Sequence, residues 1–571
     1  MYFMALATDY DGTLADHGGV RDKTLQSLQA LKETGRKLIL VTGRELPDLQ
    51  RVFSRLDLFD MAVLENGALL YDPATEEERP VAAAPPPAFI ERLRERGVER
   101  LSVGRSIVAT WEPHQGTVLD TIKEFGLELE IIFNKGAVMV LPTGVNKATG
   151  LTSALKEMGL SALNVVGVGD AENDHAFLKC CGCSAAVANA LPAVKDTADF
   201  VTRGARGEGV EELVTAMMER DYALMRVARH NIAVGREHDA PVEISPTDVV
   251  LIAGSSGIGK STLATALTEH FTEMKFQFCV FDPEGDYEDL DNAVTVGSGT
   301  TAPEKEQVFR LLADPGTNVV VNTLGLGLDE RPSFFAELMP DLSGLRAKTG
   351  RPHWLVIDEA HHLLPKARDG ASLALAKDVS GVVFITVHPD EVSPDALRAV
   401  TVVLALGPQA HEVIETFCDS VGETVPRGEA KPREKDEVLY WRRGALNPVR
   451  SIAANRPKQS HKRHTRKYAE GALKDDECFY FRGPKGKTNL KAQNLTMFVH
   501  IAAGIDDETW EHHRRAGDYS RWFRDMIKDP ELAAEAEVGE HDKNLGPAES
   551  RKWIADAIHK RYTAPASEKK R

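Results

Sequence analysis

Along the first 222 residues, short apolar runs alternate with amphipathic stretches. "ALATDYDG" and "KLILVTGR" each read as a buried strand that stops at polar residues, and "ALNVVGVGDAEND" as another that ends in carboxylates. Between the first two, "DKTLQSLQALKETG" sets Leu25, Leu28 and Leu31 on one helical face and closes at Gly35. Strands alternating with helices in this way predict an α/β domain with a parallel sheet. A Pro-rich break, "RPVAAAPPPAF", opens a segment over 77–142 whose composition predicts a small inserted α+β unit. The core is thereby divided into 1–76 and 143–222.

The pattern then restarts. After a helix expected around 209–228, "GREHDAPVEISPTD" reads as a short lead-in to a second α/β domain, 230–448. Its strands are expected at "DVVLIAG", "FQFCVFD", "NVVVNTL", "HWLVIDEA", "GVVFITVH" and "TVVLALG". Residues 449–468 are polar and basic and read as a linker; 469–571 is expected to be a mostly helical accessory domain anchored by Trp510, Trp522 and Trp553. The fold class is α/β multidomain.

Composition narrows the reading. A chain of 571 residues, 42% hydrophobic and 27% charged, has material for several cores. No apolar run approaches the ~20 residues that cross a bilayer, and "MYFMALATDYDGT" lacks a basic leader, so a cytoplasmic protein with no membrane partner is expected. Six cysteines argue against a disulfide scaffold. Cys180, Cys181 and Cys183 cluster without a second pair at metal spacing, which favours a buried turn and strand. A net charge of −17 disfavours attraction of the whole protein to nucleic acid. The basic stretch 456–467 reads first as solvated linker.

Candidate chemistry lies at the strand ends, where open α/β sheets bind ligands. Asp9 and Asp11 follow the first strand, Thr42 the second, Lys147 opens a later helix, and Asp170 and Asp174 follow "VVGVG". Phosphoryl transfer needs such parts: a carboxylate nucleophile, an acid for the leaving oxygen, donors for the transferring group, and oxygen ligands for a hard cation such as Mg²⁺. "DYDGT", "VTGR", the Lys of "GVNKATG" and "GDAEND", with "ENGA" and "AVANALPAVKDTADFVT", resemble the haloacid dehalogenase superfamily in its Cof-type phosphatase branch, over about residues 1–222. The resemblance implies a Rossmann-like core, an aspartyl-phosphate formed on Asp9, and Asp11 as general acid and then base. It implies that Thr42 and Lys147 hold phosphoryl oxygens. Mg²⁺ would bind Asp9, Asp170 and the Asp11 carbonyl, with Asp174 and Asn173 orienting that shell. Gly43 and Arg44 would face a small phosphorylated substrate, such as a sugar phosphate or phosphoglycolate. The unit over 77–142 lies where that branch carries its cap, and Arg105 and His114 are polar cap candidates, with surface placement favoured for each.

"GSSGIGKST", at Gly254, Ser255, Ser256, Gly257, Ile258, Gly259, Lys260, Ser261 and Thr262, is a P-loop between a strand and a helix. Its amides would wrap a phosphate of ATP, Lys260 would reach the β/γ-phosphates and Ser261 would ligate Mg²⁺. "HWLVIDEAHHLLP" ends a strand at Asp358, suited to the magnesium shell, and Glu359 is placed to polarise a water, which favours ATP hydrolysis over transfer to a substrate hydroxyl. With "FDPEGDY" and "VVFITVHPDEVSP", the domain resembles HerA/FtsK-type P-loop ATPases. That resemblance implies an extra strand carrying a catalytic Glu between the P-loop and Asp-Glu strands, and a γ-phosphate sensor at Thr386 or His388. It also implies a homo-oligomeric ring with an arginine finger, for which Arg398, Arg442 and Arg443 are candidates.

The leading expectation is a Mg²⁺-dependent phosphomonoesterase fused to an ATP hydrolase. The alternatives are a nucleic-acid machine with an end-trimming phosphatase, and a nucleotide-switched scaffold. Aromatics beside basic residues in "FYFRGPKGKTNLKAQNL" leave a single-strand stacking surface open, with packed helices as the ordinary alternative.

Overall fold

A computed structural model describes residues 1–134, 136–225, 229–288, 290–366, 379–426, 437–444, 447–458, 473, 477–484, 488–527, 529–542 and 545–562. The chain divides into two compact units, Met1–Lys458 and Gln459–Arg571.

The first unit holds both α/β domains. Its N-terminal sheet runs, edge to edge, Phe200–Val201, Cys183–Ala186, Val165–Gly169, Ala5–Asp9, Lys37–Val41, Met61–Leu64, Leu69–Asp72 and Glu77–Pro80. The six strands from Phe200–Val201 to Met61–Leu64 are parallel, so Asp9, Thr42 and Asp170 come out at one end. Strand Glu77–Pro80 pairs antiparallel with Leu69–Asp72, so the core sheet reaches past residue 76, where the cap was expected to begin. The cap is a four-stranded antiparallel sheet, Ser102–Val103, Val108–Trp111, Ala137–Pro142 and Leu129–Asn134. Helices Pro87–Glu95 and Gln115–Phe125 carry buried residues, Phe89, Leu93, Val118 and Ile122, that cluster with Val108 and Val140 of this sheet.

The second sheet has eleven strands. Seven neighbouring strands running out to one edge, Val402–Leu406, Val249–Ala253, Val382–Thr386, Trp354–Ile357, Phe278–Asp282, Val319–Asn322 and Val294–Val296, are all parallel. The expected strand between those leading to the P-loop and to Asp358 is present as Val382–Thr386, but it carries no Glu; Phe278–Asp282 lies on the far side of Trp354–Ile357. The presumed lead-in is a hairpin, Ile232–Glu237 with Ala240–Ile244. The hairpin pairs with Arg450–Ala454, so the first part of the expected linker is sheet, with Ile452 buried. Residues 459–468, most of the basic stretch, lie outside the described residues.

The two domains share a buried polar seam. His353 Nε2 lies 2.9 Å from Asn164 Oδ1, while Asn164 Nδ2 donates to the Tyr2 carbonyl (2.8 Å) and His353 Nδ1 accepts from the Gln277 amide (2.9 Å). Arg351, also buried, donates to the carbonyls of Gly159, Leu312 and Ala313 and to Gln277 Oε1. Burial lowers its guanidinium to about 10. Arg229 adds an ion pair to Asp199 at 2.8 Å.

In the second unit a hairpin, Phe479–Phe481 with Leu490–Ala492, joins five helices between Leu495 and Tyr562. Trp510 stacks on Tyr519, with centroids 4.3 Å apart, and donates to Ser550. Trp522 is buried, but Trp553, expected as a core anchor, is 41% exposed. Phe479 and Phe481 point into this core, and the Arg482 guanidinium lies 5.1 Å from the Tyr480 ring centroid. Among the described residues, no helix is long and apolar enough to cross a membrane.

Candidate active site

Strand Ala5–Asp9 is buried throughout, and its last residue opens into the turn holding Tyr10–Thr13. Gly12 has φ +90°, and a Cβ there would stand 2.5 Å from Asp170 Oδ2; glycine lets the two strand-end loops close. Lys147, 2% exposed, begins helix Lys147–Glu157, whose first turn is fixed by a capping box between Asn146 and Thr149. Its ammonium donates to Asp9 Oδ1 and Asp174 Oδ1, each at 2.6 Å. The other Asp174 oxygen accepts from the amides of Asp170 and Ala171 (2.9 Å each), and Thr13 donates to Asp170 at 3.3 Å.

Three buried carboxylates, Asp9, Asp170 and Asp174, offer oxygens within 4.8 Å of one another. Among the described residues this is the one such group. Burial, and then Asp174, push Asp9 up to about 7 against the pull of Lys147. Burial works against the Lys147 ammonium, but Asp174 and Asp9 outweigh it and hold its pKa above the ordinary lysine value. The cluster is short of positive charge, and its all-oxygen donor set fits a hard divalent cation such as Mg²⁺.

Asp11 is placed differently. Its side chain turns outward, where Arg44 Nε and Nη2 donate to both carboxylate oxygens at 2.7 Å each; Asp48 holds the remaining Nη1. The Asp11 carboxylate therefore stands outside the cation cluster, and only its backbone carbonyl is left for the metal role expected of it. Thr42 is buried, with its amide on the Val63 carbonyl. Asn173 donates to Asn66 Oδ1 at 3.2 Å. Over Gly43, Met139 Sδ from the cap approaches within 3.8 Å of where a Cβ would stand, and Ser102 Oγ donates to Glu45 at 2.5 Å. Arg105 is bound to Glu78 and His114 accepts from the Glu99 amide, so surface contacts occupy both.

In the second domain, strand Val249–Ala253 runs into the P-loop and helix Lys260–Glu273. Gly254, Gly257 and Gly259 take φ of +157°, +74° and +108°, conformations closed to most side chains. Lys260 Nζ rests on the Ser255 carbonyl at 3.2 Å, and Ser261 Oγ donates to Asp286 Oδ2 at 3.3 Å. Asp358 is buried, and Glu359 follows in a left-handed conformation, φ +41°. Such backbone costs of order 1–3 kcal/mol and concentrates at functional sites. Burial, then Glu359, Asp286 and Asp282, raise Asp358 well above the usual carboxylate range. Thr386 Oγ1 joins His361 Nδ1 and the His388 amide, each at 3.0 Å.

The three arginine-finger candidates each make an ion pair within the chain. Arg442 forks onto Asp248 at 2.8 and 2.9 Å, and Arg443 onto Glu423 at 2.8 and 2.6 Å. Asp248 precedes the strand whose far end carries the P-loop, so Arg442 clamps the opposite edge of the sheet. Arg398 pairs with Asp395.

Residues 6–105 and 119–214 match the family model of the haloacid dehalogenase-like hydrolases. A phosphoglycolate phosphatase of Methanothermobacter thermautotrophicus is 31% identical over 225 residues, which are 38% of this chain and 98% of that protein. The chain belongs to the haloacid dehalogenase-like hydrolases. Phosphoglycolate phosphatase 2 of Saccharolobus solfataricus is 29% identical over 38% of this chain and 93% of its own length. Residues 238–385 of the hydrolase match the AAA ATPase domain, a P-loop family different from the expected HerA/FtsK group. This chain therefore joins a haloacid dehalogenase-like hydrolase domain to a region that matches the AAA ATPase domain.

Two contacts beside these sites are not legible in the sequence. Asp286 stands within "FDPEGDY", but only the fold sets it against Ser261, because Asp282 accepts the amides of residues 284–287 and curls the loop back. Glu65 stands in "ENGA" with no partner legible nearby; its partners are amides of the cap.

Proposed function

We propose that the first domain hydrolyses small phosphate monoesters, phosphoglycolate among them, and that the second hydrolyses ATP. The observation that carries the phosphatase reading is Lys147 bridging Asp9 and Asp174 beside Asp170. Asp9 attacks phosphorus, the P–O ester bond breaks, and the leaving alcohol takes a proton from Asp11. Water then gives its proton to Asp11 and attacks the aspartyl-phosphate, releasing phosphate and restoring Asp9. Asp9, Asp170 and the Asp11 carbonyl would hold Mg²⁺, which when bound neutralises charge on the phosphoryl oxygens. Lys147 pulls the nucleophile toward its ionised form, and Thr42 holds the transferring group.

Arg44 supports a short substrate with a second anion. It must leave Asp11 before that carboxyl can serve the leaving group, and a substrate carboxylate is the exchange partner that its planar fork suits. The named activity of both relatives agrees with such a substrate. The test is phosphate release from phosphoglycolate with and without Mg²⁺. Turnover that survives chelation, or survives Asp9→Asn, would remove this mechanism.

For the second domain, Asp358, Ser261 and Asp286 would hold Mg²⁺·ATP and Glu359 would polarise the attacking water. The ATPase acts on the phosphatase through the seam. His353 and Gln277 immediately precede the strands leading to Asp358 and Asp282, and Asn164 precedes the strand leading to Asp170. Tyr2 lies three residues before the strand that ends at Asp9.

A further inference from the structure

Residues Glu65-Asn66-Gly67 form a tight turn after strand Met61–Leu64, and all three take positive φ: +52°, +56° and +105°. Two consecutive non-glycine residues in this region persist only where surrounding bonds fix them. Here the bonds run to several segments of the candidate phosphatase site. The Glu65 amide donates to the Arg44 carbonyl and the Asn66 amide to the Thr42 carbonyl, each at 3.0 Å. Asn66 Oδ1 accepts from Asn173. Gly67 packs against the Asn146 carbonyl, where a Cβ would stand 2.0 Å away, and so backs the helix that begins with Lys147.

The Glu65 side chain reaches the other way. It is 1% exposed, and its carboxylate accepts the amides of Arg105 (2.7 Å), Ser106 (2.8 Å) and Ile107 (3.0 Å), all in the cap. Gly104 closes over it, and a Cβ there would stand 2.5 Å from Glu65 Oε1. Three successive amides turned toward one point form an anion nest, and a carboxylate fills it with charge-assisted bonds. Ser106 Oγ also donates to the Ala82 carbonyl, in the chain that leads into the cap, so the nest sits at the hinge side of the cap.

We infer that Glu65 is the positioning residue on which the cap is seated: one strained turn holds the backbones of Thr42 and Arg44 with one side and the cap with the other. The cap's angle over the substrate and the placement of the phosphoryl-binding residues are set together. A small ester depends on that seating, because only a closed cap brings Met139 and its neighbours down to exclude water. A bulky ester holds the cap up and depends on it less. The inference rests on the phosphatase reading above.

The test compares kcat/KM for phosphoglycolate with that for a bulky aryl phosphate in Glu65→Gln and Gly104→Ala. The first variant turns an amide NH₂ toward backbone donors; the second forces the nest open from the cap side. Both are expected to lower the ratio of small to bulky turnover at least tenfold. Amides 105–107 should exchange hydrogen at least tenfold faster, while ATP turnover by the same chain stays unchanged as a control of folding. Equal losses on both substrates, or unchanged exchange at 105–107, would overturn the inference while leaving the phosphatase reading intact. If the unaltered protein released no phosphate from either ester, the phosphatase reading itself would fail, and the amide exchange would still report whether Glu65 seats the cap.

Discussion

His353 of the ATPase domain and Asn164 of the phosphatase domain meet at 2.9 Å across a buried seam, 189 residues apart in the chain. The Asn164 amide nitrogen is committed to the Tyr2 carbonyl, so its oxygen faces His353, and His353 bears its proton on Nε2 because Nδ1 accepts from Gln277. The pair thus fixes a neutral imidazole at the point where strands from both sheets begin.

That protonation state makes stability depend on pH. Burial, then Arg351 and Arg346, lower His353 to about 3; burial, then Arg229, lower the nearby His230 to about 4. At these two imidazoles an unfolded chain takes up protons below about 6.5, while the folded one refuses them until far lower, so the stability they contribute is complete above that pH and is lost on acidification. Each histidine contributes a slope of about 1.4 kcal/mol per pH unit in this window. The raised carboxyls Asp9 and Asp282 act in the opposite sense over the same range, so the histidine contribution is read as a difference: the loss of denaturant midpoint between about pH 6.5 and about pH 4 should be smaller in His353→Gln than in the unaltered protein. An identical pH dependence in the two proteins would contradict the buried neutral imidazole.

The seam should also carry the nucleotide signal. Asn164→Ala leaves the His353 N–H without its acceptor, at a cost of about 1–3 kcal/mol. Phosphatase kcat/KM is expected to differ between nucleotide-free and ATP-bound wild type, and the difference should shrink in Asn164→Ala while each separate activity persists. An ATP response of unchanged size would place the coupling elsewhere.

The two catalytic centres should fail separately. Asp9→Asn is expected to lower phosphate-ester turnover by at least about a thousandfold with ATP hydrolysis intact. Glu359→Gln should lower ATP turnover about a hundredfold or more, with nucleotide binding retained in equilibrium titration. Loss of both activities from either change would mean one shared site.

Arg44→Ala separates substrate classes. Removing the fork frees Asp11 but deletes the partner for a second anion. KM for phosphoglycolate should rise by about tenfold or more, while KM for a neutral aryl ester changes little. A parallel rise on both would assign Arg44 to the phosphoryl group itself.

Asp9, Asp11, Thr42, Lys147, Asp170 and Asp174 were legible in the chain, and so were the P-loop and Asp358-Glu359. Each follows a buried apolar run, or opens a helix, within a few residues, and parallel strands deliver such residues to one edge of a sheet. Local spacing determined which groups could do chemistry. It did not determine what faces them. Arg44 on Asp11, Asp286 on Ser261, Glu65 in the cap nest and His353 on Asn164 are contacts between segments 25 to 189 residues apart. They form because a buried polar group must find a partner wherever packing brings one. For the same reason Arg442 went to Asp248 at the base of the sheet, and Phe479 and Phe481 went into a core. Which face of each element is buried, and against what, was decided only by the tertiary structure.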